Sequence, residues 1–271
     1  MTRTAIIAGS GALPAALVAA MVAAMDGRPV VCALDGFAPE GLTVDQVFVV
    51  ERLALFLRWL EDQGVNRVIF AGAIRRPRLD PSLFDAATAQ MVPQLLAAMQ
   101  GGDDAGLRAV VAIFEDAGFA VVGVPQIAPA LVPGPGLLAG KITAQDEADT
   151  SRAAAIVKAL GAVDVGQACV VAQGLCLGVE SLAGTDALLT AVAGMGVLRP
   201  DPARGLGVLY KAAKPGQDLR IDLPTLGPAA VRGVAAAGLG GIAFEAGSVI
   251  CLDLPEMQAA CAERGLFLWA R

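Results

Sequence analysis

Short apolar runs alternate with longer stretches of helical period through the first 125 residues. Thr4–Ala8, Pro29–Leu34, Asp45–Val50, Arg67–Ala71 and Phe119–Val124 read as strands; between them helices are predicted up to Met25, over Arg52–Gln63, near Met91–Met99 and over Asp103–Ala117. Strands separated by helices imply a parallel sheet covered by helices. The pattern breaks over 126–144, where Pro129, Pro133-Gly-Pro135-Gly136 and Gly140-Lys141 predict an irregular connector after Pro125. A helix from about Gln145 to Leu160 follows. Beyond it the predicted strands are Ala168–Ala172, Leu175–Val179, Gly207–Tyr210, Leu219–Leu223, Gly241–Phe244 and Val249–Leu252, with helices over Asp186–Ala193, Pro228–Ala237 and Pro255–Arg264. The expected fold is α/β with two lobes: a Rossmann-like parallel sheet with helices over 1–125, a linker over 126–144, and an α/β domain over 145–271. A ligand cleft is expected between the lobes, since such sheets bind ligands beyond the carboxyl ends of their strands.

Composition narrows the chemistry. Of 271 residues, 56% are hydrophobic and 17% charged, which excludes a disordered chain. The net charge of −6 offers no global basic footprint for nucleic acid, so any anion must be met locally. Histidine is absent, which removes histidine general bases, Ser-His-Asp triads and histidine metal sites. The five cysteines show no C-x-x-C spacing and sit mostly in apolar runs, as expected of buried thiols in a reducing cytoplasm. Residues 4–25 are uncharged and follow Arg3, imitating a secretory leader. Gly9-Ser-Gly11 and Pro14 break that run, however, and a strand, a glycine turn and a helix explain it.

Most of the plausible chemistry lies in one segment, Lys211-Ala-Ala-Lys214-Pro-Gly-Gln217-Asp218-Leu-Arg220-Ile-Asp222-Leu-Pro-Thr225-Leu-Gly227. From Asp218 to Leu223 polar and apolar residues alternate, so a strand here would carry Asp218, Arg220 and Asp222 on one face. Lys211, Lys214 and Arg220 are cations, while Asp218 and Asp222 can hold a hard cation through oxygen, a combination suited to a diphosphate. A solvated strand with Arg220 paired to its neighbouring aspartates explains the same pattern.

Other candidates are weaker one by one. Gly9-Ser-Gly11-Ala-Leu13-Pro14 could bring backbone N–H groups to a phosphate at a helix start, or be a structural tight turn. Pro14 stands where a dinucleotide fingerprint needs its third glycine. Phe70-Ala-Gly72-Ala-Ile-Arg75-Arg76-Pro77 lies at a strand exit, where the arginines meet either an anion or water. Asp103 and Asp104 read as helix-capping acids. Gly184 or Thr185 can cap a helix that Asp186 favours electrostatically, or Thr185 can meet phosphate or sugar hydroxyls there. Glu245-Ala-Gly247 reads as a hairpin turn between two strands.

Together these segments resemble the UDP-2,3-diacylglucosamine pyrophosphatases of lipid A synthesis, of the type unrelated to metallophosphoesterases. The resemblance runs end to end. It covers Ile7–Pro14, Phe70–Gly72 through Arg76-Pro77, Gly102-Asp103-Asp104 with Leu107-Arg108, Asp164–Gln167, Gly184-Thr185-Asp186 and Lys211–Gly227. It implies hydrolysis of the substrate diphosphate to 2,3-diacylglucosamine 1-phosphate (lipid X) and UMP, with water attacking the phosphorus next to the sugar and Mg²⁺ as cofactor. Asp222 would hold Mg²⁺ or orient the water, and Lys211 and Arg220 would offset phosphate charge. Gly9, Gly11, Leu13, Pro14, Gly72, Arg76, Thr185, Asp186, Lys214, Gln217 and Thr225 would contact substrate.

The implied partners are a lipid-linked nucleotide sugar, the inner-membrane surface in transient contact, and a second copy as a homodimer, with no nucleic acid; the location is cytoplasmic or peripheral to the inner membrane. Ala183 stands where the family reads glutamate, and Ala230 where it reads threonine. Two other functions stay open: nucleotide-lipid binding without turnover, which Ala183 makes conceivable, and a nicotinamide-dependent oxidoreductase, which Pro14 weakens.

Overall fold

The computed structural model describes residues 2–25, 27–75, 77–93, 95 and 103–271, with backbone only for 103–105. Arg76 and most of the helix expected near Met91–Met99 lie outside the described residues, as do the side chains of Asp103 and Asp104. The chain divides into two compact units, Met1–Ala128 with Asp218–Asp222, and Pro129–Gln217 with Leu223–Arg271. The first unit thus takes five residues from the segment that carries most of the candidate chemistry.

In the first unit, β1 (Thr4–Ala8), β2 (Val30–Leu34), β3 (Gln46–Phe48), β4 (Arg67–Ala71) and β5 (Ala120–Val121) form an all-parallel sheet ordered β3-β2-β1-β4-β5. β1 and β2 are buried along their whole lengths, which is why they read as continuous apolar runs rather than alternating ones. One core packs Ile7, Val30 and Val68 of this sheet against Phe56 and Leu60 of the helix Leu53–Asp62 and Phe114 of the helix Asp103–Asp116. The chain leaves β1 toward β2 and β3, then returns to the other side for β4 and β5, making β1/β4 the topological switch point.

The second unit contains β6 (Gly136–Ala139), β7 (Ala168–Ala172), β8 (Leu175–Val179), β9 (Val208–Lys211), β10 (Thr225–Leu226), β11 (Gly241–Phe244), β12 (Ile250–Cys251) and β13 (Phe267–Ala270). Six form one sheet ordered β6-β13-β11-β9-β7-β8, parallel across β9, β11 and β13 and antiparallel toward both edges. β10 and β12 pair in parallel as a separate ribbon. The helices Gly184–Ala193, Pro228–Ala236 and Leu254–Arg264 bury Leu189, Val231 and Met257 against the large sheet. The helix Ala144–Gly161 packs Ala153 and Val157 against Val171, Val208 and Tyr210. Among the described residues no helix is long and apolar enough to cross a membrane.

Three expectations need correction. The segment 126–144 is not wholly irregular: Gly136–Ala139 is a strand paired with β13, itself unforeseen at the chain's end. Glu245–Gly247 does not turn a hairpin, because β11 and β12 belong to different sheets. Leu219–Leu223 is a turn rather than a strand, for reasons that bear on the site.

Candidate functional site

The Asp218–Asp222 turn is built by Asp218. Its carboxylate accepts the backbone N–H of Arg220 at 3.0 Å, while its carbonyl accepts the N–H groups of Ile221 and Asp222, both at 3.2 Å. An aspartate bonding the backbone two residues ahead offers the chain a turn in place of a ladder, and here it overrides the alternating pattern. Asp218, Arg220 and Asp222 therefore do not share a strand face. The Arg220 guanidinium returns to Asp218 through Nε at 3.0 Å and Nη2 at 2.7 Å, and reaches Glu115 of the helix Asp103–Asp116 through Nη1 at 2.6 Å. Arg220 thus joins two carboxylates of the first unit, and Ile221 packs on that unit's core. Asp222 is half-buried at the turn's end.

Hydrogen bonding from Arg220 is the main influence holding the Asp218 carboxyl below its ordinary acid range; burial acts in the opposite sense. A lowered folded value means that the stabilisation is present above the unfolded value of about 3.9 and is lost as pH falls through the folded one. Asp218→Asn is therefore expected to lower the unfolding temperature at neutral pH, with the gap from the unaltered chain closing below about pH 4. A gap that stayed constant down to acid pH would show that the charge of Asp218 does not support the turn.

At the switch point the exits of β1 and β4 interlock. Gly9 N–H donates to Ala71 at 2.7 Å, Ser10 N–H to Ala73 at 3.0 Å and Ala73 N–H to Ser10 at 2.9 Å. A Cβ on Gly9 would stand 2.5 Å from the Ala73 oxygen, and one on Gly72 2.6 Å from the Ser10 oxygen. Both glycines are thus required by close backbone approach. The Gly9 and Ser10 donors are spent within the protein, which places any N–H groups for a ligand later, toward Leu13 at the start of the helix Leu13–Ala23. Pro14 is buried in that first turn, and Gly11 takes φ +96° in open space. An apolar hollow in the same unit is lined by Ile7, Leu34, Phe48, Phe70, Ile74 and Phe114, among others, with Arg75 also on its wall.

In the second unit Lys211 ends β9, buried, and its Nζ donates to Thr185 Oγ1 at 2.7 Å and lies 3.4 Å from Glu180 Oε2. The Thr185 hydroxyl in turn donates to Glu180. Thr185 therefore does not cap its helix: the N-cap is Ala183, with no side-chain hydrogen bond, and Gly184 supplies φ +83°. Glu180, just after β8, received no role from the sequence because its partner Lys211 is 31 residues away. Asp186 is exposed in the first turn of the helix.

Thr185 and Asp186 line a hollow with Thr225, Gly227 and Ala230. Lys214 Nζ reaches Asp164 at 2.6 Å, while its backbone N–H donates to the Gln217 side chain at 2.8 Å. Gln217 is buried and Thr225 half-buried on β10. Those expected residues that are described thus fall into four groups: the Asp218–Asp222 turn, the β1/β4 exits, Lys211 and the Thr185 hollow with Asp186 and Thr225, and the Lys214–Gln217 pair.

Among the described residues, no group of three His, Cys, Asp or Glu side chains is arranged to hold a metal. Asp222 offers one carboxylate. That donor set does not make a resident cage, yet it suits Mg²⁺, which is typically held by one or two carboxylates together with substrate phosphates and water.

Two family models cover the chain. One, described as the LpxI N-terminal domain, matches residues 3–131, and the other, the LpxI C-terminal domain, matches residues 134–269. A curated relative from Caulobacter vibrioides, named UDP-2,3-diacylglucosamine pyrophosphatase LpxI, is 38% identical over 275 residues, spanning 99% of this chain and 97% of that protein.

Proposed function

The chain belongs to the LpxI family, and we propose on that footing that it hydrolyses the diphosphate of UDP-2,3-diacylglucosamine in lipid A biosynthesis. The observation that carries this reading is the match to both family domains together with a relative of that name along nearly the whole chain. The products are UMP and 2,3-diacylglucosamine 1-phosphate: water adds to the phosphorus next to the sugar, the anhydride bond breaks, and UMP leaves.

Asp222 would hold Mg²⁺ or orient the attacking water. When bound with the diphosphate, the ion supplies charge neutralisation and polarises the phosphorus. Arg220, tied to Asp218 and Glu115, keeps the turn in shape and has further N–H donors for phosphate oxygen. Lys211, held by Thr185 and Glu180, would offset phosphate charge. One such cation at about 4 Å is worth very roughly 1–4 kcal/mol at dielectrics between water and a protein surface. The hollow lined by Ile7, Phe48, Phe70 and Phe114 has the chemistry to receive an acyl chain. Contact with the membrane surface is needed only to take up and return lipid.

The test of the metal's part is removal by EDTA. Turnover is expected to vanish with EDTA and to return with Mg²⁺, whereas the unfolding temperature stays the same because the ion is recruited with substrate. Undiminished turnover in EDTA would overturn the metal's role.

A further inference from the structure

We infer that Glu180 is a positioning residue for the proposed hydrolysis, acting through Lys211 and Thr185; this rests on the reading that Lys211 meets the diphosphate. The Lys211 and Glu180 side chains are only 10% and 12% exposed, and the Thr185 hydroxyl sits between them, accepting from Nζ and donating to the carboxylate. A buried ammonium is costly unless its charge is met, and a long lysine stem has many rotamers unless its head is held. Glu180 does both. It balances Lys211 from one side and, by accepting the Thr185 O–H hydrogen bond, turns the Thr185 lone pair toward Nζ.

The backbone fixes the carboxylate's own position. Glu180 N–H donates to the Ala168 carbonyl at 2.7 Å, and a Cβ on Gly166 would come within 2.1 Å of the Glu180 oxygen, so the strand exit is clamped between β7 and the residues before it. Ala183 has no acid to contribute; the acid beside Thr185 is Glu180, five residues before it in the chain.

The experiment compares E180Q, E180D, K211M and the E180Q/K211M double variant by UMP release from UDP-2,3-diacylglucosamine, alongside unfolding temperature and the ¹H–¹⁵N signal of the Lys211 ammonium. E180Q is expected to lose about 10²-fold in kcat with KM changed by less than about threefold, and E180D to recover most of that loss. The double variant is expected to be no slower than K211M, because Glu180 has no effect once Lys211 is gone. The double variant also removes both charges, so it stays informative if E180Q alone folds poorly. The ammonium signal should be sharp in the unaltered chain and lost in E180Q.

K211M slow but E180Q fully active would overturn the role of Glu180 alone, as would a double variant slower than K211M by the whole E180Q factor. K211M as active as the unaltered chain would overturn the roles of both residues. Absence of turnover in the unaltered chain would sink the hydrolase reading and with it the catalytic consequence. The ammonium signal would then report whether Glu180 still holds Lys211.

Discussion

Replacing Asp222 with alanine is expected to lower kcat for UDP-2,3-diacylglucosamine by at least about 10³-fold while leaving the fold intact. The reason for separating activity from stability lies in how the turn is closed. Arg220 N–H, Ile221 N–H and Asp222 N–H all bond to Asp218, and alanine at position 222 keeps the N–H that closes the turn. Loss of this half-buried carboxylate, with whatever contact it makes, should cost about 1–2 kcal/mol, short of unfolding the chain. Its chemistry has no evident substitute: Asp218 is bound to Arg220, and the chain has no histidine to act as base. Circular dichroism and the unfolding temperature read the fold, and UMP release reads the activity. A folded Asp222→Ala protein with more than a tenth of the normal rate would remove Asp222 from the reaction.

The second large effect is on stability. Gly72→Ala should destabilise the protein by about 3 kcal/mol, whereas Gly11→Ala should cost about 1–2 kcal/mol. Both glycines take positive φ, +90° and +96°, so alanine is strained at either. The difference is space: a Cβ on Gly11 meets nothing within 4 Å, but one on Gly72 stands 2.6 Å from the Ser10 oxygen and 2.8 Å from Gly9 backbone atoms. Those neighbours are backbone held by the Ser10–Ala73 pair, so relief requires the two strand exits to part. For a chain of this size, about 3 kcal/mol corresponds to roughly 6–12 °C in unfolding temperature. Equal losses for the two variants would mean that the close approach at the switch point carries no energy beyond backbone strain.

In the first unit β1 and β2 were legible because both are buried along their whole lengths, and the helix Leu53–Asp62 because Leu53, Phe56, Leu57 and Leu60 recur at helical spacing; Thr4–Ala8 and Arg67–Ala71 fall where the apolar runs predict. Phe267–Ala270 was missed because four apolar residues at a chain end carry no alternation, and pairing with both β6 and β11 is a tertiary fact. The Asp218–Leu223 alternation misled because the Asp218 side chain bonds the backbone two residues ahead and closes a turn there, whatever the period of the residues that follow. Pro215-Gly216 before it and Pro224 after it were the available signals of a turn.

At the site, the chemistry-bearing segment was legible from its residue types, but how it is partitioned was not. Lys211 belongs to the second unit and Asp222 to the first, although only ten residues separate them in sequence. Glu180 was invisible as a partner of Lys211, since nothing local distinguishes an acid at a strand exit from a solvated one.

The central claim is tested most directly by incubating the unaltered chain with UDP-2,3-diacylglucosamine and Mg²⁺ and identifying both products. Equal amounts of UMP and 2,3-diacylglucosamine 1-phosphate, growing with time and enzyme concentration, are the predicted result. A folded protein that binds this nucleotide lipid and releases neither product would contradict the account, leaving a carrier in place of a hydrolase.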